Sequence, residues 1–225
     1  MPASLIVVAK RPAPGMTKTR LCPPLTGEQA AHLYECFLLD TLEIMRQVPD
    51  IEPIIAYLPQ DAGDYFTELA PDMTLTPQRG ASLGERLDNL LTDALQAGAK
   101  QAVVMNSDGP TLPVVYLETA FKQLDEYDVV IGPSQDGGYY LIGMKSPQTQ
   151  LLRNVEMSTP RVLTDTLALA EASGLSVALL PSWYDVDTVA DLEHLRDELT
   201  RLGEGIAPNT RRCLVQTPLH AQDDN

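Results

Sequence analysis

Short β-rich apolar runs alternate with longer segments of helical periodicity along this chain, and that alternation constrains its fold more than any other feature. Strands joined by helices through short connections give an α/β fold with a mostly parallel sheet covered on both faces, a three-layer α/β/α arrangement. Ser4–Ala9 is the first such run, apolar enough for a strand buried on both sides. Thr26-Gly-Glu-Gln29 is a capping-box pattern, and it opens a helix with apolar positions at Ala30, Leu33, Phe37, Leu38, Ile44 and Met45. Further strands are expected at Pro53–Leu58, Met73–Thr76, Gln101–Ser107, Tyr127–Gly132, Tyr139–Met144 and Leu175–Pro181. Further helices are expected from the Ser82-Leu-Gly-Glu85 capping box to Gly98, and over Pro113–Leu124, Thr159–Ala172 and Asp187–Leu202. Periodicity fades from Gly203 to Asn225, so residues 1–202 read as one domain and 203–225 as a loosely held tail.

The 225 residues carry 16 Lys+Arg against 31 Asp+Glu, a formal net charge of −15. A duplex-binding protein normally carries the opposite sign, because phosphate neutralisation supplies most of its affinity. Nucleic acid and anionic membrane are therefore not expected partners, and no apolar run approaches the ~20 residues that span a bilayer. The apolar N-terminal stretch is too short for a signal peptide, and Cys22, Cys36 and Cys213 show no CxxC spacing. A reduced, cytoplasmic setting is the simpler expectation. No GxSxG, HExxH or zinc-type Cys/His spacing occurs, and only three histidines are present. Chemistry in this chain must rest mainly on carboxylates, cations and backbone.

The charge distribution is uneven in an informative way. Residues 1–27 contain no Asp or Glu, where an even spread of the 31 acids would place about four. Lys10, Arg11, Lys18 and Arg20 fall in the loop directly after the first strand. Ligands of open parallel sheets bind beyond the carboxyl ends of the strands, so cations concentrated there suggest a phosphate site. The alternative is a surface loop whose cations balance nearby acids. The loop is not a Walker A motif, since Pro12 and Thr17 stand where its glycines belong, and no GxGxxG occurs anywhere.

Carboxylates supply the complementary signal. The run Ala102–Ser107 leads straight into Asp108, and Tyr184-Asp-Val-Asp-Thr188 places Asp185 and Asp187 at i and i+2, on one side of an extended backbone. A hard divalent cation such as Mg²⁺ takes one or two such oxygens together with ligand phosphates. Asp187 followed by Thr188-Val-Ala-Asp191 also reads as a helix N-cap, so one of the pair could cap while the other binds metal. Asp136-Gly137-Gly138 lies between two apolar runs and reads first as a hairpin turn. The two glycines would also let backbone approach a ligand, with Asp136 facing an acceptor. Gln78-Arg79-Gly80 precedes a helix start, where free N–H groups suit an anion or a base edge.

Taken in order, Lys10–Leu21, Leu83-Gly-Glu-Arg86, Ser107-Asp-Gly-Pro110, Gly132–Gly143 and Tyr184–Thr188 resemble one family. It is the bacterial GT-A-fold transferases called rSAM/selenodomain-associated transferases, described as glycosyltransferases. More distantly, the chain is similar to 2-phospho-lactate guanylyltransferase and molybdenum-cofactor guanylyltransferase. The resemblance covers about residues 4–200. It implies the nucleotide-diphospho-sugar transferase (GT-A) fold, with a nucleotide lying over the strand ends. It also implies phosphates on Lys18 and Arg20 with Lys10 or Arg11 assisting, and the base near Gln78, Arg79 and Gly80. Mg²⁺ (or Mn²⁺) would sit on Asp108 with Asp185 and Asp187. Gly109 stands where many members carry Cys or Ser, and Met157 where many carry Trp.

Two reactions share such a site. In nucleotidyl transfer a small phosphorylated acceptor attacks an NTP, and Lys18 and Asp108 act by positioning and charge neutralisation. In glycosyl transfer an acceptor hydroxyl attacks a nucleotide sugar, and Asp136 is the candidate base. The dense cationic loop and the lack of a histidine base favour nucleotidyl transfer, with a catalytically silent nucleotide-binding domain as the non-enzymatic alternative.

Overall fold

The computed structural model describes residues 2–216. Seven strands form a single sheet: β1 (Ala3–Lys10), β2 (Ile51–Leu58), β3 (Thr74–Pro77), β4 (Ala102–Met105), β5 (Val129–Pro133), β6 (Tyr139–Met144) and β7 (Val177–Leu179). Their spatial order is β3-β2-β1-β4-β6-β5-β7. Only β6 runs against its neighbours, pairing antiparallel with β4 and β5, while every other pairing is parallel. The expected hairpin around Asp136 is this β5–β6 unit.

Helices cover both faces, as the alternating pattern requires. On one face lie α1 (Gly27–Arg46), α2 (Gly63–Leu69) and α4 (Val114–Leu124). On the other lie α3 (Leu83–Gln96), α5 (Gln150–Arg153) and α6 (Val162–Ala172). Strand β1 shows how the layers are built. Leu5, Val7 and Ala9 pack towards α1, while Ile6 packs towards α3, so each successive side chain enters the opposite core. The capping box at Thr26 forms as read, with its hydroxyl accepting from Gln29 N and its own N–H donating to Gln29 Oε1. A third, smaller core joins α1 to α7 (Val189–Arg201) through Leu33, Phe37, Leu192 and Leu195.

The chain departs from the sequence expectation at its end. Within the expected loose tail of 203–225, residues 208–216 form a further helix, α8 (Pro208–Gln216), and residues 217–225 lie outside the described residues. Asp40 of α1 accepts from Asn209 N at 3.0 Å, Asn209 Nδ2 at 2.8 Å and Thr210 N at 2.8 Å, satisfying the free N–H groups that open α8. A helix of nine residues this polar offers a short local signal, and its anchor, Asp40, lies 170 residues away from Thr210. The short helices α2 and α5 were likewise not expected. Among the described residues no helix is long and apolar enough to cross a membrane.

Candidate functional site

The carboxyl ends of the parallel strands and the amino end of β6 open onto one cleft of about 800 Å³. Its floor comes from the ends of β1 and β4, and its rims from the 16–20 loop, the first turns of α3, the β5–β6 turn and the 157–160 and 185–187 segments. This is where an open parallel sheet places a ligand.

Lys18 is the centre of the site. Its backbone is left-handed (φ 50°, ψ 38°), a conformation that a side chain with a β-carbon adopts at a cost and that functional sites often hold. That turn drives the side chain inward, where only 5% of it remains exposed. Its ammonium lies 2.5 Å from Asp108 Oδ1 and 2.8 Å from Asp187 Oδ1, above the rings of Tyr34 and Phe37. Burial alone would lower its pKa, but Asp108 and Asp187 outweigh burial and hold the group well above its ordinary value. The cation is therefore fixed in its charged form at every physiological pH.

The carboxylates are held by different partners. Asp187 is gripped from both sides, with Arg20 Nη2 at 2.5 Å from Oδ2. Burial pushes it up, yet Lys18 and Arg20 prevail and keep it below the usual carboxylate range. Thr188, not Asp187, caps α7: its hydroxyl accepts from Asp191 N while Asp191 accepts from Thr188 N. The expected N-cap at Asp187 is thus displaced by one residue, which frees that carboxylate for the cations. Asp185 accepts from Asn106 Nδ2 at 2.8 Å and from Ser134 Oγ at 3.4 Å. Burial, then the neighbouring Asp108 charge, pushes its pKa up to about 7. Asn106 and Lys18 pull the other way without offsetting the burial.

Hard oxygen donors suit Mg²⁺ or Mn²⁺, and Asp108 with Asp185 provides the one or two carboxylates such an ion needs. Asp187 is the poorer ligand because Lys18 and Arg20 already neutralise it. Among the described residues, oxygens of the three carboxylates do not all lie within 4.8 Å of one another.

The remaining expected residues divide. Lys10, Arg20, Gln78, Asp136 and Gly138 line the cleft. Gln78 is buried, with its amide nitrogen donating to Ala56 O at 2.8 Å. Arg11 points away and stacks over the Tyr65 ring at 5.6 Å, a departure from the expected phosphate role. Arg79 pairs with Asp93 on the exposed side of α3, and Gly80 (φ 137°) packs on Glu85 and Arg86, so neither reaches the cleft. Gly137 (φ 91°) is needed for packing, since a β-carbon there would lie 2.1 Å from Pro160 O. Asp136 accepts from Gly138 N at 3.0 Å, closing the turn expected of Asp-Gly-Gly.

Three site residues escaped the sequence reading. Tyr34 of α1 is buried beneath Lys18, and its hydroxyl meets Ser107 Oγ at 2.8 Å and Lys10 N at 3.1 Å. Burial, then Asp108, pushes its phenol up to about 12. Asn106 orients Asp185. Arg86, on the first turns of α3, faces the cleft with its Nε buried and without a hydrogen-bond partner. The Leu83-Gly-Glu-Arg86 motif carried that signal, an arginine beside a helix start. Gly84 instead lets α3 meet α5, because a β-carbon there would lie 2.1 Å from Leu152 O.

This sheet order, cleft and cation–carboxylate cluster define the nucleotide-diphospho-sugar transferase fold, as the sequence resemblance implied. A protein from Desulfovibrio desulfuricans G20, a candidate nucleotide-diphospho-sugar transferase, matches with a TM-score of 0.87 and 32% identity over 93% of this chain and 94% of that one. The family described as uncharacterized proteins conserved in bacteria (DUF2064) matches residues 41–159, and the chain belongs to that family. The fold extends to 4-diphosphocytidyl-2C-methyl-D-erythritol synthase of Anaerococcus prevotii (TM-score 0.58, 12% identity, 89% of this chain and 97% of that one). It also extends to a cytidylyltransferase of Leptospira borgpetersenii (TM-score 0.57, 14% identity, 96% and 94%). No curated protein sequence matches the chain.

Proposed function

We propose that the protein is a metal-dependent transferase that uses a nucleotide-activated donor, and that the reaction is nucleotidyl transfer from an NTP to a small phosphorylated acceptor. The observation that carries this reading is Lys18, a buried, permanently charged ammonium at the strand ends, flanked by Asp108 and Asp187. Such a cation, prepositioned in a low-dielectric cleft, stabilises charge developing on transferring phosphate at no cost in reorganisation. Arg86 and Lys10 supply further positive groups on the same cleft, and Arg86 Nε is a buried donor with no hydrogen-bond partner among the described residues.

In this scheme an acceptor phosphate oxygen attacks the α-phosphorus, the bond to the β-phosphate bridging oxygen breaks, and pyrophosphate leaves. The acceptor is already ionised, so no base is required of the protein. Asp108 and Asp185 would hold Mg²⁺ or Mn²⁺, which supplies charge neutralisation between the phosphates when bound. Lys18 and Arg20 would exchange Asp187 for phosphate oxygens, and the apolar wall of Leu83, Leu87 and Tyr139 would exclude water. Asp136 stands at the rim on the side of the 157–160 segment, where the acceptor would enter.

Glycosyl transfer is the second reading, favoured by the name given to the Desulfovibrio relative at 32% identity. Asp136 would then be the base, from an exposed position. Thermal shift against NTPs and nucleotide sugars, with and without Mg²⁺, separates the two. A ligand at 100 times its Kd adds about 2.7 kcal/mol. Mg²⁺-dependent stabilisation by one NTP, with pyrophosphate release on adding acceptor, supports nucleotidyl transfer; stabilisation by a nucleotide sugar alone supports the second reading. Asp108→Asn should abolish the metal-dependent part, and an unchanged response in that variant removes Asp108 from the site.

A further inference from the structure

Away from the cleft, α1 and α8 bring together three groups of a different chemistry. His32 and Cys36 lie one turn apart on α1, and Cys213 lies on α8, which Asp40 clasps against α1. The ligating atoms of all three lie within 4.8 Å of one another. Both thiols are buried, at 6% and 1% exposure, and His32 is exposed at the edge of the group.

We propose that His32, Cys36 and Cys213 form a binding site for a Zn²⁺-type ion that fastens α8 to α1. Two sulfurs and one imidazole nitrogen are the soft-to-borderline donor set that selects zinc over the Mg²⁺ of an all-oxygen site. Bonds of about 2.0–2.3 Å give a tetrahedron with edges of roughly 3.5–3.8 Å, so the donors need draw in by only about an ångström. Glu35 Oε2 lies 3.6 Å from His32 Nδ1, the kind of carboxylate partner that fixes the tautomer of a ligating histidine. Glu35 and Asp40 also place negative charge near Cys36, a field that attracts an arriving cation. The exposed imidazole gives the ion its entry path, and a solvent molecule would complete four-coordination. On binding, both thiols lose their protons to solvent and the ion gains two thiolates.

The sequence concealed this site because Cys213 is 177 residues from Cys36, whereas zinc motifs are recognised by close spacing. The site is independent of the cleft chemistry and stands whichever reaction that cleft performs.

The test is Co²⁺ titration of the full chain, reduced and stripped with chelator, followed through thiolate-to-metal charge-transfer absorption and the ligand-field bands of four-coordinate Co²⁺. One equivalent should produce both signals, and Zn²⁺ should displace it. Cys213→Ser should abolish the charge-transfer signal of that site or halve its intensity, with affinity falling at least tenfold. His32→Ala changes an exposed residue, so it tests the site without threatening the core, and it should also weaken binding at least tenfold. Asp108→Asn should leave the thiolate signal intact, which separates this site from any ion on the cleft carboxylates. The proposal is overturned if the reduced protein gives no thiolate band, or if His32→Ala binds as tightly as the parent. Oxidation to a Cys36–Cys213 disulfide without metal uptake by the reduced protein would overturn it as well.

Discussion

Replacing Asp185 by Asn removes a charge that the folded protein holds unfavourably. Its carboxyl is pushed up to about 7 by burial and then by Asp108, against an ordinary value of 3.8 in the unfolded chain. The folded state therefore binds the proton more tightly than the unfolded state. Stability falls as pH rises from about 4 and levels off above about 7, by up to ~4 kcal/mol in total. Asn cannot ionise, and its carbonyl can still accept from Asn106 Nδ2. Relaxation around the site will reduce the full figure, so a gain of about 2–4 kcal/mol at pH 8 is expected for Asp185→Asn, shrinking towards zero near pH 4. Urea unfolding of both proteins between pH 4 and 8.5 in EDTA measures the difference directly. Adding Mg²⁺ should stabilise the parent and not the variant, narrowing the gap. A gap that does not change with pH, or a variant less stable than the parent at pH 8, would refute the reasoning.

Lys18→Met removes the ammonium while keeping most of the volume, and it leaves Asp108 without that cation while Asp187 keeps Arg20. About 2–4 kcal/mol should be lost at pH 7.5, as read by urea unfolding, because a carboxylate is left in the cleft without its cation. Arg86→Ala should weaken binding of any nucleotide the cleft takes by about 10- to 100-fold in calorimetry, the value of one charge-assisted hydrogen bond, with little effect on folding. Gly137→Ala should destabilise by about 1–3 kcal/mol because of its φ of 91° and the clash with Pro160 O. Gly138→Ala, whose β-carbon would meet only Asp136 Oδ1 at 3.3 Å, should cost less in the same thermal melt.

The layered fold was legible because its strands are short, apolar runs buried on both faces and because α1, α3 and α7 open with side-chain caps. Residues such as Leu5, Ile6 and Val7 can hardly be placed otherwise. Lys18, Asp108, Asp185 and Asp187 were legible for a related reason: each follows the end of an element on one edge of the sheet, and topology gathers that edge. Arg11 and Arg79 were misplaced because charge identifies a loop but not the direction of a side chain. Arg11 finds Tyr65, and Arg79 finds Asp93, partners that no local pattern announces. The Thr188 cap was hidden by a shift of one residue, and α8 was hidden because its anchor, Asp40, lies on a helix near the other end of the chain.

The contacts that hold the cleft together are far apart in sequence: 169 residues separate Lys18 from Asp187, and 79 separate Asn106 from Asp185. Closing loops of that length delays the corresponding contacts during folding. A chain still being synthesised exposes its acid-free N-terminal stretch long before the carboxylates that balance it exist. A fragment ending short of Asp185 lacks two of the three carboxylates of the cluster, so the cleft is a property of nearly the whole chain and cannot be transplanted as a module.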